Sequence, residues 1–337
     1  MDWLDNDEEI AQRRIDPNNI STNENALPKN NESSSTKELE DKLMQEKIKV
    51  NRLQNEIENL KHSNKSNNLN SINQFIHEIN FNQLKLGKKI GQGGFSEIYE
   101  TNWFNNPVAI KVIFDPNVND NLLNEFNNEI EKLFILRHPN IINLYGICPK
   151  NQKLAIVTEL AKKGSLFDYI HKSQNNSIPI SFKNKITIQL INTMSYIHEC
   201  GFVHRDLKTQ NILLDDNLNM KLCDFGLTKL KSELNSGSGQ YAGTPAYMAP
   251  ELYGRKFYDE KVDVFAFGTL IWELYSQKIP YLNCDANEIK NKVCKGEKLL
   301  CAKNVPKGVA DLIDKCRLVD KDKRPNFKDM EKMDLFS

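Results

Sequence analysis

No glycine occurs in the first 86 residues, although the 337-residue chain carries 15 of them from Gly87 onward. Glycine supplies left-handed backbone and close chain approaches, so a folded region with tight turns needs it. Two regions of different character follow, with a compact domain expected from about Leu84. Charge divides at the same place. Residues 1–83 hold 10 basic and 15 acidic side chains, net −5, against net +5 for 84–337 and zero overall. A neutral total argues against a general binder of nucleic acid or anionic membrane, which needs a basic excess.

Residues 1–36 are rich in Asn, Ser and acids and poor in large apolar groups. They bury too little to offset ordering entropy, so a disordered acidic tail is expected. In residues 37–62, Leu39, Leu43, Val50, Leu53, Ile57 and Leu60 fall at heptad spacing, broken only by Glu46. That stripe predicts a coiled coil and a homodimer through 39–60; a single helix lying on the following domain is the alternative. Residues 63–83 read as a polar linker ending in an amphipathic piece around Ile72, Phe75, Ile76 and Ile79. The acidic start is no secretory signal, Asp2 excludes myristoylation, and no CaaX box ends the chain. The longest apolar run, Val264 to Trp272, is well short of the ~18–20 residues of a membrane span. Seven cysteines without a CxxC pair read as free thiols. A soluble, cytoplasmic protein is expected, with no direct membrane anchor.

From Leu84 the texture is strand-like. LKLGKKI, SEIYETNWF, PVAIKVIF, IINLYGI (141–147) and KLAIVTEL (153–160) are separated by turn residues, with a helical stretch from Asn121 to Leu136. Beyond Gly164 the pattern is mainly helical, notably 185–200 and 261–277, the latter apolar on all sides and so expected to be buried. The fold class expected is α+β: a small antiparallel sheet lobe with one helix, then a larger helical lobe, with a cleft between them.

The motifs carry the chemistry. Gly91-Gln92-Gly93-Gly94-Phe95-Ser96 joins two strands. A dinucleotide fingerprint would need a following helix and an acid about 20 residues on, where this chain has Lys111. A glycine hairpin over phosphates fits better, because backbone N–H groups approach an anion only where side chains are absent. Lys111 lies mid-strand among apolar neighbours, and Glu129 on the next helix is its candidate partner. His204-Arg205-Asp206-Leu207-Lys208-Thr209-Gln210-Asn211 sets an acid five residues before an amide. Asp224-Phe225-Gly226 adds a second hard oxygen ligand suited to Mg²⁺, and Ala249-Pro250-Glu251 closes a polar loop.

These residues in this order resemble the eukaryotic protein kinase signature set, over about Leu84 to Phe336. The resemblance implies a bilobal kinase fold and ATP with Mg²⁺ as cofactors. It places Gly91, Gln92, Gly93, Gly94, Phe95 and Ser96 over the phosphates, with Ile90 also among the nucleotide-binding residues. Ile98, Ala109, Thr158, Glu159, Ala161 and Leu213 would surround the adenine, with Thr158 as gatekeeper and Glu159 to Ala161 as hinge. Lys111, held by Glu129, would bind the α- and β-phosphates. Asp206 would accept the substrate proton, Lys208 would contact the γ-phosphate, and Asn211 and Asp224 would hold the metal. Asp263 resembles the buried aspartate that supports the catalytic loop, and Glu251 with Arg324 the pair that ties down the activation segment. Lys208 and Gly243-Thr244-Pro245 match the Ser/Thr pattern, and LRHPNIINLYG and DVFAFGTLIWEL are similar to the tyrosine-kinase-like group. The implied function is phosphorylation of Ser/Thr on protein substrates; a pseudokinase scaffold acting through the coiled coil and a dual-specificity or Tyr kinase are the alternatives. Arg205 suggests control by activation-loop phosphate, with Ser236, Ser238, Tyr241 and Thr244 available and Ser236 or Ser238 favoured over Thr244, which is expected to bind the catalytic loop.

Overall fold

Period-two burial organises the first half of the folded chain. The computed structural model describes residues 75–93, 96–113, 120–148, 154–172, 177–234, 243–254, 258–303 and 305–336. The expected tail, the coiled coil with its dimer, Gly94, Phe95, Ser236, Ser238 and Tyr241 lie outside the described residues. Strands β1 (Lys89–Gln92), β2 (Ser96–Trp103), β3 (Asn106–Ile113), β4 (Leu144–Cys148) and β5 (Ala155–Glu159) form an antiparallel sheet in the order β1-β2-β3-β5-β4. In β3, Val108, Ile110 and Val112 are buried on one face, while Ala109, Lys111 and Ile113 alternate onto the other. Helix α1 (Asp120–Ile135) presents Phe126, Ile130 and Leu133 at helical spacing, and these share one core with Leu144, Ile147 and Ile156.

Two strand expectations shift. In 84–90 the ladder begins only at Lys89, and Leu84 covers the outer face of the sheet instead. In 141–147 the strand begins at Leu144, because Ile141 and Ile142 turn to the larger lobe; the Ile142 N–H donates to the Leu222 carbonyl at 2.9 Å. At the described end of the 63–83 linker, the amphipathic piece finds a partner in the sheet. Ile76 and Ile79 are buried, and Ile79 joins Val108, Ile110 and Val157 in the outer core. The Ile79 N–H donates to Ile147 O (2.8 Å) and the Ile147 N–H to His77 O (3.0 Å), so the segment borders β4. Glycine at 146 permits this approach: a Cβ there would lie 2.3 Å from the His77 carbonyl oxygen.

The larger lobe follows with α2 (Leu166–His171), α3 (Ile180–Glu199), β6 (Phe202–Val203), β7 (Ile212–Leu214), β8 (Met220–Leu222), β9 (Lys229–Leu230), α4 (Pro250–Tyr253), α5 (Lys261–Ser276), α6 (Ala286–Cys294), α7 (Lys307–Cys316) and α8 (Phe327–Met330). Two short antiparallel pairs, β6 with β9 and β7 with β8, frame the loops that carry the motifs. Every residue of α5 from Val262 to Tyr275 is buried, as its all-round apolarity predicts. It passes so close to α7 that a Cβ on Gly268 would lie 2.8 Å from the Cys316 Cβ.

Arg324 fastens the segment before α5. Its guanidinium, with no side-chain exposure, makes a two-pronged contact with the Glu251 carboxylate at 2.7 and 2.8 Å. Its remaining donors reach the carbonyls of Leu318, Lys261 and Val319. Removing one partner strands a buried charge. Arg324→Ala is therefore expected to destabilise the fold by about 3–5 kcal/mol. Lys162→Ala, which breaks the exposed pair with Asp216, should leave the melting temperature unchanged. Thermal unfolding of the two variants checks this; equal melting temperatures would contradict it.

Candidate active site

Strand β3 and helix α1 meet at one ion pair. The alternation of β3 turns Lys111 to the face that carries α1, where its Nζ lies 2.8 and 2.7 Å from the two oxygens of Glu129. Burial works against the Lys111 charge, but the carboxylates of Glu129 and Asp224 outweigh it and hold the ammonium above the ordinary lysine range. Burial also pushes the Glu129 carboxyl upward, against the pull of Lys111. Asp224 thus shares the field of this pair.

The loop after β6 is set from beneath by α5. The Asp263 carboxylate accepts the backbone N–H of His204 and of Arg205, each at 2.8 Å, and lies 2.9 Å from His198 Nε2. Arg205 takes a left-handed backbone (φ 71°), which reverses the chain and presents Asp206. The Asp206 carboxylate is held by Lys208 Nζ (2.6 Å) and Asn211 Nδ2 (3.0 Å). Lys208 also donates to Thr244 Oγ1 at 3.0 Å, and that hydroxyl lies 3.4 Å from Asp206 Oδ1. Thr244 therefore binds this loop, as expected. Asn211 spends its amide nitrogen on the Asp206 carbonyl and carboxylate, leaving its side-chain oxygen as the group for a cation. Asp224 is the other left-handed non-glycine here (φ 64°), a conformation that costs strain and marks a constrained position.

The sheet supplies the roof of the cleft. Ile98 is opposite Lys111 across β2 and β3, and Ala109 is opposite Thr158 across β3 and β5. Gly91 pairs with Ile98 on β2, Ile90 is 45% exposed, and Gln92 and Gly93 are exposed, with Ser96 at the start of β2. Leu213 bridges to Ser165 below, next to the turn that contains Ala161. The Glu159 side chain is turned aside, accepting the Asn143 N–H at 3.0 Å and pairing with Lys221 at 2.9 Å. Its own N–H donates to the Asn143 carbonyl at 3.0 Å, so its backbone carbonyl is the group left to a ligand.

A buried polar cluster escaped the motif reading. Glu273 on α5 is fully buried and meets Tyr247 OH, Thr209 Oγ1 (3.0 Å) and His171 Nε2 (2.9 Å). Burial raises its carboxyl above the ordinary range, against those three partners. A second acid near the end of the apolar run of 262–275, besides Asp263, was the available signal, since a buried carboxylate must be satisfied. His198, the third partner of Asp263, carried no such mark on the amphipathic α3.

Asp263 gives a pH-dependent expectation. Burial opposes its charge, yet His198, His204 and the Arg205 N–H hold its carboxyl below the ordinary aspartate range. A depressed value means a stabilising contribution that is full above the ordinary range and lost as pH falls through the lowered value. Asp263→Asn leaves a buried donor or acceptor unmatched, at a cost of about 1–3 kcal/mol. The variant should melt several degrees lower at neutral pH, and its deficit should shrink on acidification. A deficit that grows in acid would refute the assignment.

Comparison with known proteins agrees with this geometry. Residues 84–333 match the family model for protein tyrosine and serine/threonine kinase. A probable serine/threonine-protein kinase of Dictyostelium discoideum is 38% identical over 255 residues, covering 75% of this chain and 28% of that protein. The serine/threonine-protein kinase STY46 of Arabidopsis thaliana is 35% identical over 257 residues, 76% of this chain and 44% of its own. The chain thus matches less than half the length of either relative. With the ion pair on β3 and α1, the braced loop 204–211 and a family match over most of its length, the chain belongs to the protein tyrosine and serine/threonine kinase family.

Proposed function

We propose that the chain is a protein serine/threonine kinase that moves the γ-phosphoryl group of Mg-ATP to hydroxyls of protein substrates. One observation carries the reading: the Asp206 carboxylate is held by Lys208 and Asn211 beside the Thr244 hydroxyl, with the Lys111–Glu129 pair near Asp224. Phosphoryl transfer asks a protein for position and charge more than for covalent chemistry, and these groups supply both.

In this reading Asp206 takes up the proton of the incoming hydroxyl. Lys208 balances the Asp206 charge and is placed to do the same for a transferred phosphoryl group. Lys111, kept charged by Glu129, holds the α- and β-phosphates. The Gly91–Ser96 loop is assigned to cover them on its sequence pattern, with Ile90 before it against the nucleotide. Ile98, Ala109, Thr158 and Leu213 line the adenine pocket, and the backbone of Glu159 and Ala161 hydrogen-bonds its edge. Asn211 and Asp224 would hold Mg²⁺, and their donor set of one amide oxygen and one carboxylate suits a cation that keeps most of its contacts for water and phosphate. When bound, the metal neutralises charge on the phosphate oxygens.

The Lys208–Thr244 contact and the relatives' printed names support Ser/Thr over Tyr as acceptor. The free thiols fit a reducing compartment, and no described helix is long and apolar enough to cross a membrane, so the cytoplasm is the proposed location. Dimerisation through 39–60 belongs to the proposal on the strength of the heptads alone.

Transfer of γ-phosphate to generic Ser/Thr and Tyr acceptors, wild type against Asp206→Asn, tests the reading. The variant should lose about a hundredfold or more, in keeping with loss of a proton acceptor, while melting like the wild type. Equal turnover would refute Asp206 as the base, and faster transfer to Tyr would refute the specificity.

A further inference from the structure

A lysine buried in α1 has no role in the site described above. Lys132 is 5% exposed, although it belongs to the last turn of a helix, where an exposed cation would serve the helix dipole equally well. Its Nζ pairs with Glu131 at 2.9 Å and lies 5.3 Å from the centroid of the Phe202 ring. Burying a lysine side chain loses hydration and rotamer freedom, so this placement needs a return from its surroundings.

The return is in what the contact joins. Lys132 follows Glu129 by three residues, so the two lie on neighbouring parts of one helix face. Glu129 grips Lys111 of the sheet lobe. Phe202 belongs to β6 of the other lobe, is itself buried, and precedes by two residues the His204 N–H that Asp263 accepts. It is also opposite Leu230 in the β6–β9 pair. One helix face therefore touches both halves of the site: Glu129 on the phosphate-side lysine, Lys132 on the strand that leads into Asp206.

We infer that Lys132 is a positioning residue, a cationic pin between α1 and Phe202 that keeps Glu129 on Lys111 while the loop 204–211 is in place. A cation over an aromatic face is favourable by an amount that grows when water is excluded, as it is here. The neighbouring Glu131 carboxylate, 2.9 Å from the ammonium, gives it an anionic partner beside the ring. Without the pin, α1 gains freedom to leave Lys111, and the fraction of molecules competent for transfer falls. The inference rests on the kinase reading above.

The test uses the full chain with Lys132→Met, Lys132→Arg, Phe202→Leu and the Met/Leu double variant. Methionine keeps an apolar stem and removes the charge, while arginine keeps a cation for the ring. With wild type as reference, the Met variant should lose about fivefold in kcat with KM for ATP changed less than twofold. The Arg variant should recover most of that loss, and the double variant should be no worse than Met alone. Amide hydrogen exchange over 120–135 should quicken in Met and not in Arg. An unchanged kcat in Met, an equal loss in Met and Arg, or a double-variant loss equal to the product of the singles would overturn the pin. If Met does not fold, Phe202→Leu decides: unchanged kcat and unchanged exchange in α1 overturn it as well. Failure of the wild type to transfer phosphate would instead refute the kinase reading, and the exchange comparison would still judge the pin.

Discussion

The geometry of the site depends on one carboxylate that touches no substrate. Asp263 stands in the first turn of a helix that carries no further charge until its last turn, and its two oxygens are filled by His198 and by two successive backbone N–H groups. Two adjacent N–H groups can point at one acceptor only if the chain curls around it, and the left-handed Arg205 is the residue that curls. The direction of the Asp206 side chain follows from that curl. The strain at Arg205 persists because the buried acid over-determines it.

Charge is arranged by the same logic of fixed opposites. The chain has zero net charge, but the site is neither neutral nor diffuse. Lys111 is matched by Glu129 from α1, and Lys208 is matched by Asp206 within its own loop. Each cation is thus held in place by its own anion, so the proposed phosphoryl transfer would need little reorganisation of them. Thr244 extends the arrangement to the segment that precedes Glu251, and the buried Arg324–Glu251 pair anchors that segment to the end of the larger lobe.

Much of this was legible in the residues because the chemistry is written in local strings. The partnership of Lys111 with Glu129 follows from a lysine mid-strand and an acid beside an apolar helix face. The two-lobed order of elements follows from strands first and helices after. The first glycine sits close to where the family match begins, at residue 84. What stayed hidden depends on chain approaches that no string records. The strap from Ile76 to Leu84 read only as the amphipathic end of a linker because its partner is an edge about 70 residues away, opened by the missing side chain of Gly146. Ile141 and Ile142 read as strand because their pairing with Leu222 in the other lobe outweighs their local preference. His198 and His171 are ordinary on their helices and gain meaning only from the acids of α5 opposite them.

Those acids explain why α5 is built as it is. Asp263 and Glu273 are the only carboxylates between Lys261 and Ser276, ten residues apart and so about 15 Å along the axis. The first fixes His204 and Arg205 at the start of the loop, and the second fixes Thr209 near its end. Between these two fastenings lie Asp206 and Lys208, and Asn211 comes just beyond. A loop tied at one end could swing, changing the distance from Asp206 to Asn211; tied at both ends from a buried helix, it holds them together. Tyr247 joins the second fastening, so the segment that carries Thr244 is referred to the same helix as the loop that carries Asp206. The apolar surround of α5 is what gives these two acids their leverage, because in water neither would hold a backbone loop against exchange with solvent.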